Sequence, residues 1–243
     1  MDSEKGEQSM FKKIAMMMLL GGLGMMMLAG CSGKSSRQFI EGKAAELSKV
    51  YPTENLEDLF EKFPGGFRIQ SDDLYDYKEG EGYLFQSVKL VGDGETKQII
   101  GTIVSEKITS NGTKAPTVEK VYEGGVIYKD GMIQLTDPQA NVTIRNPKLL
   151  LQEFTINKDI LSRLKMGGKG YSIETGSADI DYTITDSIVN SYMRVEQDKE
   201  LKMIFYIMSG TVENKAYSYT FEIKDGHNSH AEIISGGKTN GVR

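Results

Sequence analysis

The residues best suited to chemistry in this sequence are its two histidines, which lie close together near the end of the chain. His227 and His230 are three positions apart, and Asp225 and Glu232 flank them. Imidazole and carboxylate groups are ligands that zinc accepts. The surrounding residues are mostly Gly, Ser and Asn, and such a segment offers no scaffold that would fix the ligand geometry. We therefore expect no metal site here and predict that residues 226–243 form a flexible tail.

Two further groups of residues match ligand-binding motifs only in part. Asp72, Asp73 and Asp76 would suit calcium, but the glycine and the distal glutamate of an EF-hand loop are missing. The stretch GGKG at residues 167–170 is rich in glycine like a phosphate-binding loop, yet it follows a predicted helix and does not open one. We predict a solvated loop at the aspartates and a helix C-cap with a turn at the glycines.

Nucleophilic catalysis lacks the residues that it needs. The sequence contains no Gly-x-Ser-x-Gly motif, and Cys31 is its only cysteine. The chain beyond Cys31 therefore has no thiol nucleophile and no disulfide. A net charge of −5 argues against nucleic acid, because proteins that bind it present a basic surface. We expect a protein that is not an enzyme, requires no cofactor and binds no nucleic acid.

The first 30 residues have the organisation of an export signal. Lys12 and Lys13 precede an apolar run at residues 14–28, which ends in small residues. A transmembrane helix needs roughly 20 apolar residues, and this run is shorter and contains three glycines. The residues MDSEKGEQS before Met10 are polar and acidic, so Met10 is an alternative to Met1 as the start of translation. We predict a signal peptide at residues 1–30.

The end of this run, Leu28-Ala29-Gly30-Cys31, resembles the lipobox of bacterial lipoproteins. The resemblance implies cleavage before Cys31 and attachment of a diacylglyceryl lipid to its thiol. Two acyl chains anchor a protein stably, whereas one chain binds only marginally. We therefore expect the membrane as a partner, through the lipid on Cys31, and a location at the cell membrane on its extracytoplasmic face. Residues 31–36 would be the lipidated cysteine and a polar tether.

Beyond the tether, helical periodicity alternates with runs of period two. Helices are predicted at residues 37–50, 56–63 and 157–166, and Asn146-Pro147 is a further helix start. Strands are predicted at residues 83–91, 96–107, 118–128, 132–136, 171–174, 178–185, 201–208 and 216–224, with a tight turn at Asp130-Gly131. Because helices precede strands in both halves, we predict an α+β fold with helices packed on antiparallel sheets. Two similar modules would cover residues 37–140 and 141–225.

The stretch YPTENLEDLFEK at residues 51–62 resembles a segment of the staphylococcal tandem-type lipoproteins. Six matching residues define the segment: Tyr51, Pro52, Asn55, Leu56, Asp58 and Leu59; Thr53, Glu57 and Lys62 match as well. The resemblance covers about a dozen residues and implies a lipid-anchored, surface-displayed protein built of helices and antiparallel sheets. Members of that family stimulate innate receptors of the host through the lipidated N-terminus, and some promote entry into host cells. The family has no established catalytic residues, so the resemblance assigns none to this chain.

Together, these features predict a non-enzymatic, lipid-anchored surface lipoprotein. Its ectodomain would bind a protein partner, either of the host or of the bacterium. The alternative is an envelope lipoprotein that binds a small molecule or a lipid as an accessory to transport. In that case the apolar side chains of residues 56–63 and of the strands would line a pocket between the helices and the sheet.

Overall fold

A ten-stranded antiparallel β-sheet makes up most of the structure, a computed structural model that describes residues 36–77, 82–109, 116–207 and 217–236. All of these residues belong to one compact unit. The helices are few and short, so the molecule has a β-sheet fold. The predicted α+β class, with two helix-plus-sheet modules, was wrong.

The sheet is built of two meanders that are joined by the last strand. In chain order the strands are β1 (Gly66–Asp76), β2 (Tyr83–Asp93), β3 (Ile99–Thr109), β4 (Thr117–Lys129), β5 (Met132–Leu135), β6 (Lys165–Tyr171), β7 (Ala178–Ile184), β8 (Leu201–Ile207), β9 (Tyr217–Asp225) and β10 (Asn228–Gly236). Their order across the sheet is β5-β4-β3-β2-β1-β10-β9-β8-β7-β6. Because β10 pairs with both β1 and β9, the two meanders form one continuous sheet.

In the described part of the chain, five short α-helices and two 3₁₀ turns accompany the sheet. They are α1 (Arg37–Ala44), which continues into a 3₁₀ turn (Ala45–Lys49), a second 3₁₀ turn (Leu56–Asp58), α2 (Leu59–Lys62), α3 (Leu150–Glu153), α4 (Lys158–Arg163) and α5 (Ser187–Met193). Their N-caps follow the usual chemistry, since Ser36, Asn157 and Asp186 each accept a hydrogen bond from a backbone N–H of the first turn. The helical stretches predicted near residues 37–50 and 56–63 are confirmed, each with a 3₁₀ portion.

One face of the sheet carries the hydrophobic core. Asp73 lies opposite His230 in the pairing of β1 with β10, and Ile69 lies opposite Ile234. Directly paired residues point to the same face. On this face the buried aliphatic and aromatic side chains of the strands pack beneath the helical segments, and Leu150 is fully buried among them. The apolar residues that alternate along β7 illustrate the pattern: Ala178, Ile180, Tyr182 and Ile184 are all buried.

The chain end predicted as a flexible tail contains a central strand. Residues 228–236 form β10, whose neighbours on both sides are long strands. The acidic loop predicted at Asp72, Asp73 and Asp76 is likewise wrong, since all three lie in β1. Both predictions failed because polar residues in these strands are satisfied by partners from distant parts of the chain, which a local pattern does not reveal.

The second half of the chain differs from expectation in two further places. Helix α4 ends at Arg163, and the glycines at 167–170 lie in β6 beside a bulge, so they form neither a C-cap nor a turn. Residues near Asn146, where a boundary between two modules was expected, are hydrogen-bonded to the first meander. Gln86 of β2 accepts a hydrogen bond from the Arg145 N–H at 2.7 Å and donates one to the Thr143 carbonyl at 3.1 Å.

Candidate functional site

The predicted lipid attachment site precedes the described residues. Leu28, Ala29, Gly30 and Cys31 all lie outside them, and the description begins at Ser36, the N-cap of α1. Among the helices that the structure describes, none is long and apolar enough to cross a membrane. The anchor therefore stays a prediction from the sequence.

The segment that resembles the lipoprotein family packs against the core face of the sheet. Among its six defining residues, Tyr51, Leu56 and Leu59 are buried, whereas Pro52, Asn55 and Asp58 are exposed. Leu56 and Leu59 are inaccessible to solvent. Asn55 is the cap of the 3₁₀ turn, because its side chain accepts a hydrogen bond from the Glu57 N–H at 3.1 Å. The apolar half of the motif thus serves packing, and its polar half faces solvent.

Gln152 of α3 connects this segment to the sheet. Its amide group donates hydrogen bonds to the Glu54 carbonyl at 3.0 Å and to the Gly131 carbonyl at 3.1 Å. It also lies 3.3 Å from the Tyr128 hydroxyl, which accepts a hydrogen bond from the Leu56 N–H. A single buried side chain therefore connects α3, the β4–β5 turn and residues 51–62, which we call the family-like segment.

The most polar cluster in the core surrounds His230 of β10. Its Nδ1 lies 3.0 Å from Asp73 Oδ1, and its Nε2 lies 3.3 Å from Glu232 Oε1. His230 and Glu232 have no accessible surface, and Asp73 is 7% exposed. The ring of Tyr192 from α5 packs edge-on against the imidazole, with 4.7 Å between the ring centroids.

Each carboxylate of this cluster accepts further hydrogen bonds. Glu232 accepts one from the Tyr51 hydroxyl at 2.6 Å and others from the N–H groups of Leu150 and Leu151 at 2.6 and 3.0 Å. Asp73 accepts bonds from the Asn146 amide at 3.2 and 3.3 Å. The start of α3 and the family-like segment are thereby fixed above the centre of the sheet.

The surroundings of His230 keep its imidazole protonated. Burial alone lowers the pKa, but the charge of Asp73 and the hydrogen bonds to both carboxylates outweigh it and raise the pKa of His230 to about 10. Burial and the nearby carboxylates of Glu232 and Asp73 raise the pKa of Tyr192 well above its usual value, so this phenol stays neutral. The cluster at neutral pH is an imidazolium held between two carboxylates.

The polar groups of this cluster are engaged with one another. Both nitrogens of His230 point at carboxylates, so neither has a free lone pair to act as a base or a metal ligand. The expectation that a mobile tail holds both histidines was wrong for His230, although His227 is exposed beside the β9–β10 turn. Within the described part of the chain, no group of three or more His, Cys, Asp or Glu residues is arranged to hold a metal ion.

Asp72 lies on the opposite face of the sheet from Asp73. It accepts hydrogen bonds from the Ser87 hydroxyl at 2.6 Å and from the Gln70 amide at 2.7 Å. Burial raises the pKa of Asp72, although these hydrogen bonds lower it in part. The adjacent aspartates thus have separate environments and do not share a ligand.

An apolar pocket of about 320 Å³ opens between α4, α5 and the end of β7. Its walls include Phe154, Ile160, Leu164, Ile184 and Ile188. The carboxylate at its rim, Asp186, already accepts hydrogen bonds from two N–H groups at the start of α5. The pocket therefore offers apolar contact with little unused polar chemistry. It does not involve the helical residues 56–63 that the sequence predicts for a ligand site.

Comparison with known proteins adds no relative from which a function could be transferred. No protein-family model matches the chain, and no curated protein matches it. The resemblance of residues 51–62 to the staphylococcal tandem-type lipoproteins therefore stays a prediction.

Proposed function

We propose that this protein is a lipoprotein held at the extracytoplasmic face of a bacterial cell membrane by a diacylglyceryl lipid on Cys31. The observation that carries the proposal is the sequence Leu28-Ala29-Gly30-Cys31 at the end of an apolar run. The position of the fold supports it, since α1 begins at Arg37, just beyond a short stretch of small and polar residues. A lipid-bearing cysteine, a tether and an ectodomain would then follow one another directly.

The ectodomain acts by binding a partner and has no enzymatic activity. The polar cluster around His230 is closed to solvent and its hydrogen-bonding groups are occupied by one another, which supports a role without catalysis. An exposed apolar pair is available for contact with a protein. Val91 and Ile100 lie directly opposite each other on β2 and β3 and are 41% and 50% exposed.

The partner is a protein of the host or of the bacterial envelope. The similarity of residues 51–62 to the staphylococcal tandem-type lipoproteins supports the host, with stimulation of innate receptors and contact with host cells as the corresponding roles. The buried residues of this motif, Tyr51, Leu56 and Leu59, would then serve the packing of the fold in each of these proteins. The surface that meets the partner would be particular to each protein.

Fractionation of cells tests the anchor. The full chain is produced in a bacterium that lipidates its secreted proteins, as wild type, as Cys31→Ser and as the neighbouring control Ser32→Ala. We expect wild type and Ser32→Ala in the membrane fraction and Cys31→Ser in the soluble secreted fraction. Retention of Cys31→Ser in the membrane would refute the lipid anchor.

Capture by crosslinking tests the binding role. The lipidated chain is presented to host-cell surfaces and to bacterial envelope extracts, and saturable, competable partners are identified. We expect the double variant Val91→Lys/Ile100→Lys to lose the partner, while Met132→Lys, an exposed change at the edge strand β5, retains it. Equal capture by all three chains would exclude this surface.

The apolar pocket favours a second candidate function, the binding of a small apolar molecule or lipid. Ile188 at its rim is 40% exposed, so a larger polar side chain there would block the pocket without disturbing the core. Native mass spectrometry of the detergent-extracted protein should show a bound molecule in wild type and none in Ile188→Lys. Wild-type protein that carries nothing beyond its own covalent Cys31 lipid and detergent would speak against this function.

A further inference from the structure

A β-hairpin close to the start of the fold exposes an isoleucine. Ile173 is 73% exposed and lies in the turn that connects β6 to β7. Single exposed apolar side chains are common on protein surfaces and need no explanation by themselves. Ile173, however, lies beside aromatic side chains and close to the predicted lipid anchor, and this position requires an explanation.

The turn that holds Ile173 has a defined conformation. The Ser172 N–H donates to the Ser177 carbonyl at 2.9 Å, and the Gly176 N–H donates to the Ser172 carbonyl at 2.8 Å. Gly176 has a φ of 67°, in the left-handed region that favours glycine. The exposure of Ile173 therefore belongs to an ordered hairpin end.

Two aromatic side chains connect this hairpin to the first helix. Tyr171, the last residue of β6, packs edge-on against Phe39 in the first turn of α1, with 6.4 Å between the ring centroids. Phe39 itself is 36% exposed. We call Phe39, Tyr171 and Ile173 the apolar patch. It combines two aromatic rings with an aliphatic side chain at the place where the chain enters the fold.

The length of the tether limits how far this patch can lie from the predicted lipid. Ser36 follows Cys31 by five residues, and five extended residues span at most about 18 Å. Phe39 lies only one helical turn further along the chain. The acyl chains of a lipidated Cys31 would lie in the bilayer, so the start of α1 must remain close to the membrane surface.

We propose that the apolar patch rests on the lipid bilayer in which the Cys31 lipid is embedded, an inference that depends on the proposed lipid anchor. Aromatic rings favour the interface between headgroups and acyl chains, and an exposed aliphatic side chain gains free energy by leaving water there. Lys43 of α1 is engaged in an ion pair with Glu46, and Lys165 lies at the end of β6 away from the turn, so the contact with the bilayer rests on the apolar side chains. Glu174 next to Ile173 is exposed and keeps the contact shallow.

This contact would set the orientation of the ectodomain. Attachment through the Cys31 lipid alone would let the fold rotate about a single point above the membrane. A second contact at the patch turns α1 and the β6–β7 hairpin towards the bilayer. Strands β2 to β5, at the opposite side of the sheet from β6 and β7, would then be available to partners.

Fluorescence from a single label tests the proposal with the full, lipidated chain. The lipid occupies Cys31, so an introduced cysteine is the only free thiol. Ile173→Cys carries an environment-sensitive fluorophore, and Val118→Cys on β4, where the native side chain is 51% exposed, serves as the matched control. Both proteins are placed in vesicles of phosphatidylglycerol and phosphatidylcholine, with and without headgroup-nitroxide lipid as quencher. We expect a blue shift and quenching at position 173 and neither at position 118.

The outcomes separate this inference from the proposed anchor. If the labelled chains float with the vesicles and the label at 173 responds no more than the label at 118, the patch does not touch the bilayer and the inference is overturned alone. If the chains do not float, the anchor and the inference both fail. A blue shift at 173 that needs no vesicles and grows with protein concentration would assign the patch to a second copy of the chain and also overturn the inference.

Discussion

At the scale of single residues, His230 shows how a charged group is kept in an apolar core. Transfer of an imidazolium out of water is costly, and the two carboxylates of Asp73 and Glu232 offset that cost. Glu232 in turn depends on the Tyr51 hydroxyl and on backbone N–H groups of α3. The charges of this cluster are therefore mutually dependent, and removal of one member leaves the others buried without compensation.

The raised pKa of His230 makes the stability of the fold depend on pH. Because the pKa is higher in the folded state, about 10, than the ordinary value of 6.5, this contribution is complete below about pH 6.5 and is lost as the pH rises towards 10. The free energy of unfolding, measured by urea denaturation, should fall across that range. The exposed His227→Gln should keep the same slope, whereas a wild-type stability that is flat between these pH values would contradict the assignment.

Replacement of the buried histidine itself should be strongly destabilising. His230→Gln leaves at least one buried carboxylate without a charged partner, and we expect a loss of about 3–5 kcal/mol in the free energy of unfolding. His227→Gln is the matched control, since this exposed side chain should cost less than about 0.5 kcal/mol. Chemical denaturation at neutral pH measures both changes, and similar values for the two variants would show that the cluster is not important for stability.

Tyr51→Phe tests the link between the family-like segment and the sheet. The change removes only the hydroxyl that donates to Glu232 at 2.6 Å, and hydrogen bonds to charged groups contribute about 1.5–3 kcal/mol. Tyr206→Phe is the control, because its hydroxyl also donates to a carboxylate, that of Glu222, but Tyr206 itself is 38% exposed and the bond is only partly buried. Thermal unfolding should show a clearly larger loss for Tyr51→Phe than for Tyr206→Phe, and the reverse order would be incompatible with the structure.

At the scale of elements, the short helices are held down by side chains and not by their own length. Helix α3 has only four residues, and isolated helices of that size do not persist in water. Its position depends on Glu232, which binds its N-terminal N–H groups, and on Gln152, which reaches the β4–β5 turn. The short helices therefore keep their positions through side-chain hydrogen bonds to the sheet and its turns.

Gln152→Ala should loosen this layer. The change removes a buried amide whose partners include the Glu54 and Gly131 carbonyls, and the unpaired groups should cost more than about 2 kcal/mol of unfolding free energy. Gln134→Ala, at a half-buried glutamine with one bond to the Lys129 carbonyl, should cost much less. Hydrogen exchange should also show faster exchange at Leu56 in Gln152→Ala, and unchanged protection there would count against this role.

The elements that the sequence predicts well are those with a local physical cause. Alternating apolar residues and the Asp130-Gly131 turn, in which both residues have positive φ, identify β4 and β5. By contrast, β1 carries Ser71, Asp72 and Asp73, and their polarity is typical of a loop until the partners are known. Those partners, among them His230 and Asn146, lie far away in the chain, so only the folded structure brings them together.

The same limit applies to the candidate site. The lipobox-like motif is local, and four consecutive residues, 28–31, are enough to recognise it. The cluster around His230 depends on β10, α3 and the 3₁₀ region near Tyr51, and no spacing in the sequence relates them. The local pattern gave no signal for this cluster, because His230 and Glu232 place polar side chains at positions of β10 that are buried in the core.

At the scale of the whole molecule, β10 makes the sheet continuous, and its removal should prevent folding. A chain that ends after Asp225 would lack the strand between β1 and β9 and leave Asp73 and Tyr51 without their partners. We expect this truncation to be insoluble or unfolded by circular dichroism. A chain that ends after Gly236 keeps every described strand and should fold. A folded protein that ends at Asp225 would show that the sheet does not depend on its central strand.

The proposed lipid at Cys31 would decide where the whole molecule acts, and mass spectrometry of the N-terminal peptide from membrane-extracted protein tests it directly. We predict a mature chain that starts at Cys31 and carries the added mass of a diacylglyceryl group on this residue. An unmodified Cys31, or a mature N-terminus at another residue, would contradict the lipid anchor. It would also remove the basis for placing the first helix and the β6–β7 hairpin against a bilayer.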